Sequence, residues 1–210
     1  MLRLFYSPGA CSLVPHVALE EAGAGFEAVR TAIAEKAHKR PEYLAINPRG
    51  LIPAIEVDGR VVTENVAVLA YIGHGWPESG QLPLDEVPAL ARVFELLSYF
   101  ATTVHYGGFG PIFRARAAGV ERPESETAAD RERLRGLFGE IDGLLAPGPW
   151  LLGDRYSLAD PYPLTFLRWA RRLELGVTQH RHWTAHARRM VERPAVRRAL
   201  AREGLDPAEF

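Results

Sequence analysis

Cys11 is the one cysteine in a chain of 210 residues. It lies in the stretch LFYSPGACSLVPH, behind an apolar segment and a Ser7-Pro8-Gly9 turn, where a helix is expected to start. Unpaired backbone amides and the helix dipole at such a start favour an anion. A thiolate there has a lowered pKa and is the reactive form of cysteine. The same residue reads equally well as a small buried core side chain. With no second cysteine, an internal disulfide and a dithiol cycle are both excluded, so thiol chemistry needs a sulfur from outside.

Three other groups of residues have types that do chemistry. Glu64-Asn65 sits where a strand turns into a helix. There helix amides with Asn65 capping can hold a carboxylate, and Glu64 can receive an ammonium; an ordinary N-cap gives the same pattern. His105 lies mid-helix in TTVHYGGFGP (102–111), among Gly107, Gly108 and Gly110, which weaken or bend a helix. No Lys-Ser/Thr follows these glycines, so a nucleotide cradle is not supported. His180, His182 and His186 have no acidic or cysteine ligand at suitable spacing, and no metal site is expected. The arginines between Arg168 and Arg198 form the one basic stretch. They interleave with apolar helical positions, as on a solvated helix face rather than a nucleic-acid groove.

These residues need elements to position them. LRLFY (2–6) reads as a buried strand and 12–22 as an amphipathic helix stopped by Gly23. FEAVRTAI (26–33) alternates as a strand, and PEYLAIN (41–47) is a short helix ended before Pro48. IPAIEVDGRVVTE (52–64) is a hairpin around Asp58-Gly59, followed by a helix over 64–76. The order βαβ-α-ββ-α implies a mixed sheet with helices packed on it, an α/β thioredoxin-like layout. In that layout the proline opening the third strand, here Pro53, faces the cysteine loop. The stretch 79–87, within PESGQLPLDEVP, reads as a linker between a first domain over 1–78 and an all-α domain over 88–210. The second domain has helical periodicity over 88–118, 124–145, 157–173, 183–192 and 195–203. SLAD (157–160) has the form of a capping box, in which Ser157 bonds the amide three residues on. Pro163 is expected deeper in that helix, at the cost of a backbone bond or a bend.

A net charge of −1 gives no field toward nucleic acid or an anionic membrane. The N-terminus lacks a signal-peptide h-region, and no apolar run approaches the ~18–20 residues of a spanning helix. A cytoplasmic protein is expected.

Taken together, YSPGACSLVPH (6–16), NPRGLIPA (47–54), TEN (63–65), WLLGDRYSLADPY (150–162) and MVERPAVRRALAREGL (190–205) resemble, in order and at matching distances, the motifs of the glutathione transferases, in particular the bacterial beta class. The resemblance covers essentially the whole chain. It implies a glutathione-binding N-terminal domain and an all-helical domain that forms the electrophile site, usually as a homodimer. It also implies a detoxifying transferase that joins the glutathione thiolate to small hydrophobic electrophiles. Cys11 would lie beside the glutathione sulfur, and His105 would reach that sulfur from the helical domain. Lys36 would pair with the glycyl carboxylate, and Ile52, next to Pro53, would bond the cysteinyl part through its backbone. Glu64 and Asn65 would hold the γ-glutamyl end. Tyr6 matches a tyrosine that other classes use on the sulfur, and Ser98, Thr102 and Thr103 complete the implied glutathione contacts. The chain departs from the pattern at Asn65 (usually Ser or Gly), Ser98 (often Asn) and Thr103 (often an acid). Phe109, Phe113, Phe166 and Trp169 read either as walls of the electrophile pocket or as core. A mixed disulfide between Cys11 and glutathione would add thiol-disulfide exchange. The alternatives are a non-catalytic binder of glutathione or apolar ligands and, as a lesser reading, a glutathione-dependent isomerase. Such isomerases typically carry Ser-Ser-Cys, where this chain has Gly9-Ala10-Cys11.

Overall fold

In the computed structural model, which describes residues 1–210, LRLFY forms β1 (Leu2–Tyr6) inside a four-stranded sheet. The order is β2-β1-β3-β4, with β2 at Phe26–Arg30, β3 at Ala54–Val57 and β4 at Arg60–Thr63. β1 runs parallel to β2, Leu2 opposite Phe26, and antiparallel to β3, Leu4 opposite Ile55. The parallel pair requires a crossover, which α1 (Leu13–Glu21) supplies. β3 and β4 are antiparallel and joined by Asp58-Gly59, both at positive φ, as a tight hairpin turn demands. Alternation along β1 sends Leu2, Leu4 and Tyr6 into the main core, and Phe5 into a small cluster with Ala54 and Tyr43 of α2 (Pro41–Leu44). The thioredoxin-like unit ends with α3 (Asn65–Gly75).

The rest is helical apart from isolated bridges around Gly153. It comprises α4 (Val87–Tyr99), α5 (Gly110–Ala118), α6 (Glu124–Leu144), α7 (Pro161–Arg172), α8 (Arg181–Glu192) and α9 (Pro194–Glu203). Between α4 and α5 the helix is not broken at its glycines but widened, into a π-helical segment over Phe100–Phe109. Pro111 accounts for part of this, because without an N–H it serves neither the Gly107 nor the Tyr106 carbonyl. Arg133 Nη1 donates to the first at 3.3 Å and Arg114 Nη1 to the second at 3.4 Å. The whole run Val87–Ala118 has an 18-residue window of mean hydropathy 1.2, so length and composition alone would allow a membrane span. That corrects the expectation that no stretch qualifies. Here the run packs through Phe100, Val104 and Phe109 into the main core.

Further expectations are corrected. α1 is buried from Leu13 to Glu20 rather than one-sided, because α7 and α9 cover the side that the sheet and α3 leave open. The 79–87 stretch between α3 and α4 is anchored at one residue. Gln81 is buried, its Nε2 donates to the Ala18 carbonyl at 3.0 Å, and its carbonyl accepts from Leu158 N at 3.0 Å. α7 begins at Pro161, so Pro163 falls in the first turn, where an N–H has no helical partner to lose. Ser157 Oγ accepts from Ala159 N rather than the amide three residues on, while Asp160 carries the other half of the box by accepting from Ser157 N at 2.8 Å. The arginine stretch is only in part a solvated face. Arg193 forks onto Glu21 at 2.5 and 2.9 Å, Arg198 holds Glu20 at 2.6 Å, and nearly buried Arg168 pairs with Glu209 at 2.8 Å. The first two pairs tie α1 to the C-terminal helices.

Candidate functional site

Ser7 to Ala10 form a turn closed by Ala10 N on the Ser7 carbonyl at 3.0 Å. Ser12 Oγ bridges the same residue, accepting from Ser7 N at 3.0 Å and donating to its carbonyl at 3.1 Å. Within the turn, Gly9 is gripped from the helical unit by both its polar groups. Its N–H donates to Glu203 Oε2 at 2.7 Å, and its carbonyl accepts from Trp169 Nε1 at 2.8 Å and Arg168 Nη1 at 3.4 Å. Glu203 Oε1 meets His16 Nδ1 at 2.8 Å, with both side chains fully buried. Cys11 is thereby held two residues ahead of the first helical residue of α1.

Cys11 Sγ lies 3.5 Å from the Ile52 carbonyl, and the Ile52–Pro53 bond is cis. Burial pushes the Cys11 thiol up to about 12. The charges of Glu203 and Glu64 add to that, and the backbone amides of Cys11 and Ser12 oppose it. This corrects the expectation of a lowered pKa, because desolvation outweighs the helix start. Cys11 is a neutral thiol at neutral pH.

Glu64 precedes α3 at φ 66, a conformation that non-glycine residues rarely adopt and that clusters at functional sites. Its exposed carboxylate is 3.4 Å from Arg49 Nη1. Asn65 does not cap α3 but is its first helical residue. Its Nδ2 turns inward to the Cys11 carbonyl at 3.1 Å and the Tyr162 hydroxyl at 2.8 Å. His105 stands in the π-helical segment with its ring centroid 4.9 Å from that of Trp169, whose Nε1 holds Gly9. Burial, and then the Arg114 charge, lower the His105 pKa to about 4, so the imidazole is neutral at pH 7.

The structure therefore brings together Cys11, Ile52, Pro53, Glu64 and Asn65, with His105 joined through Trp169. Lys36 is exposed at φ 54 and has no ion-pair partner. Ser98, Thr102 and Thr103 are exposed, and the Thr102 hydroxyl donates to the Ser98 carbonyl at 2.8 Å. Tyr6 is not brought to the site, since its buried hydroxyl donates to the Arg202 carbonyl at 3.3 Å. Phe109, Phe113, Phe166 and Trp169 form one aromatic cluster, and only Phe113 is more than slightly exposed. The remaining histidines are dispersed. His186 Nε2 bonds Asp160 at 3.1 Å, the backbone N–H of His182 donates to Asp142 Oδ1 at 2.8 Å, and His180 packs on Trp183.

Sequence reasoning missed Glu203 and Tyr162, and saw Trp169 only as a wall or core residue. Glu203 and Tyr162 act through partners far along the chain, so local spacing carried no signal. For Trp169, an indole N–H among apolar neighbours does need an acceptor, and that was a usable hint.

The model of the glutathione S-transferase N-terminal domain matches residues 1–74, and that of the C-terminal domain matches residues 98–194. Glutathione S-transferase GstA of Escherichia coli O157:H7 is 36% identical over 207 residues, covering 97% of this chain and all of the relative. Among solved structures, the bacterial beta class glutathione S-transferase of Sphingomonas chungbukensis superposes with TM-score 0.87 at 32% identity, covering 97% of this chain and 100% of its own. A sphingomonad glutathione S-transferase complexed with glutathione gives TM-score 0.85 at 34% identity, with the same coverage.

Proposed function

The chain belongs to the glutathione S-transferase family, and from that premise we propose that it joins the glutathione thiolate to small hydrophobic electrophiles at the Cys11 site. The observation that carries this reading is the convergence on Cys11. The starts of α1 and α3 and the Ile52 carbonyl meet there, and His105 connects from the helical unit through Trp169 and Gly9.

Glutathione lies along the thioredoxin-like unit, residues 1–78. Its γ-glutamyl end is at Glu64 and the start of α3, its cysteinyl backbone at Ile52 beside Pro53, and its glycyl carboxylate toward Lys36. Ser98, Thr102 and Thr103 offer hydroxyls from the helical unit, residues 88–210, which walls the electrophile pocket. The glutathione sulfur sits beside Cys11. A neutral Cys11 thiol donates a hydrogen bond to that sulfur as thiolate, and the neutral His105 imidazole has the capacity to take the glutathione proton. The thiolate then attacks the electrophilic carbon. A C–S bond forms, and the leaving group departs with its electron pair, or the electron pair of an activated double bond moves on and is protonated. The protein supplies position and thiolate stabilisation. A thiol held near 12 makes Cys11 a poor nucleophile, which favours conjugation over a mixed-disulfide route. The enzyme works in the cytoplasm as a homodimer, in detoxification.

Calorimetry with reduced glutathione, paired with chlorodinitrobenzene conjugation on the same samples, tests this. Micromolar-to-millimolar binding with turnover is expected. Cys11→Ala should reduce disulfide exchange far more than conjugation. Absence of glutathione binding overturns the reading and leaves a relative in fold only.

A further inference from the structure

A cavity of about 210 Å³ opens between α5, α6 and the end of α7, and none of the residues gathered around Cys11 lines it. Its apolar wall is built by two helix ends of the same kind. α5 closes through Gly119 at φ 65, where Gly119 N donates to the Arg116 carbonyl at 3.1 Å and Val120 N to the Ala115 carbonyl at 3.0 Å. α7 closes through Glu174 at φ 56, where Glu174 N donates to the Arg171 carbonyl and Leu175 N to the Ala170 carbonyl, both at 3.0 Å. This is the Schellman pattern, whose reversal folds the next apolar residue back onto its helix. Val120 and Leu175 are set on the cavity wall in this way, beside Ile112 and Leu173. Glycine is the usual residue at such a reversal, and Glu174 holds the position against its own side chain.

The wall is left uncovered, since Val120 remains 58% exposed. The charged part of the lining is cationic. Arg116, Arg122 and Arg131 border the cavity, and no carboxylate does. Arg122 is neutralised already, because it pairs with Glu126 at 3.1 Å and with Asp130. Glu124, whose carboxylate lies 3.3 Å from the Thr127 hydroxyl, stands outside the lining. Arg116 and Arg131 have no ion-pair partner, so two guanidinium charges remain for a ligand. A guanidinium fork matches a carboxylate with two parallel bonds. The space is smaller than the ~300–1,000 Å³ of sites for drug-sized molecules, so the body it accepts is one short chain or ring.

We propose that this cavity is a second binding site, for a small amphiphilic carboxylate. Arg116 and Arg131 take the carboxylate, and Ile112, Val120 and Leu175 take the apolar body. A neutral apolar molecule would leave both guanidinium groups unused, and a fully polar anion would leave the apolar wall in water. The site goes beyond the glutathione reading and does not depend on it, because it shares no residue with the Cys11 site.

Octanoate is the probe, octanol is its neutral counterpart of equal chain length, and calorimetry on the full chain is the readout. Octanoate should bind with a Kd on the order of 0.1–1 mM. Octanol should bind about tenfold more weakly, because it offers the arginines no charge. The double variant Arg116→Gln/Arg131→Gln removes both charges at exposed positions and should weaken octanoate about tenfold or more while leaving octanol unchanged. Val120→Asp sets a like charge on the wall, also at an exposed position, and should abolish octanoate binding. Circular dichroism and chlorodinitrobenzene conjugation should match wild type in both variants, since neither touches the Cys11 site. Equal binding of octanol and octanoate, or octanoate binding that survives in the double variant, overturns the proposal. Absence of octanoate binding to wild type at about 10 mM overturns it as well. The double variant decides alone if Val120→Asp does not fold.

Discussion

Replacing Gly9 with alanine probes how firmly the helical unit holds the cysteine loop. Gly9 sits at φ 66, and the left-handed region costs an L-residue about 1–2 kcal/mol. A β-carbon would also lie 2.6 Å from Arg168 Cζ, so the guanidinium must leave its place. Arg168 is nearly buried, pairs with Glu209 at 2.8 Å and reaches the Gly9 carbonyl at 3.4 Å. Losing such charge-assisted bonds costs about 1.5–3 kcal/mol. The sum is about 3–5 kcal/mol, or a fall in Tm on the order of 10 °C for a chain of this size. Gly23→Ala is the internal control, because Gly23 has φ 63 but nothing within 4 Å of an added β-carbon. It should lose only the backbone component, about 4 °C. Thermal unfolding of both variants, followed by circular dichroism, separates the contributions. If the two melt at the same temperature, the contact with Arg168 carries no stability and the reasoning fails.

Native Cys11 should react with iodoacetamide about a thousandfold more slowly than the same chain in denaturant at equal pH, because its pKa is pushed from 9.0 to about 12; similar rates would instead indicate a stabilised thiolate. His105 is depressed from 6.5 to about 4, so between these values the unfolded state binds the extra proton. Its contribution is therefore fully present above about pH 6.5 and is lost as pH falls through 4. Allowing for the partial exposure of the ring, about 2 kcal/mol is expected. In urea titrations, the loss of unfolding free energy between pH 7 and pH 4 should be greater for wild type than for His105→Gln by that amount, and equal losses would refute the assignment. Arg193→Ala should cost about 2–3 kcal/mol, since it leaves half-buried Glu21 without its forked partner, whereas Arg135→Ala, at an exposed pair, should cost well under 1 kcal/mol. Comparable losses in the same denaturant assay would argue against the clamp.

Much of the fold was legible because its signals are local. Asp58-Gly59 announces a hairpin, Gly23 stops a helix, and the short apolar run LRLFY ahead of Ser7-Pro8-Gly9 marks a buried strand. Cys11, Glu64 and Asn65 stood out for the same reason, since each stands at an element boundary with few conformational choices, whereas Ile52 came only from the resemblance. Other properties were set by what packs on top. Cys11 looks activated from its helix start alone, but α7 and α9 bury the loop, and desolvation reverses the sign of the shift. Asn65 looks like a cap until Tyr162, far along the chain, draws its amide inward. The arginines look solvated until Glu20 and Glu21 meet them across the domain boundary. The π-helical segment reflects the missing N–H of Pro111 together with the glycines, and no periodicity records it.

The grip on Gly9 has a consequence for biosynthesis. Its amide partner, Glu203, is 194 residues away along the chain, and the Arg168 that reaches its carbonyl is itself steadied by Glu209. During synthesis the local bonds of the cysteine turn are available from the start, but the Gly9 amide has no partner until α9 arrives. A chain that stops within the helical half therefore leaves the cysteine turn without the grip that Glu203 gives Gly9.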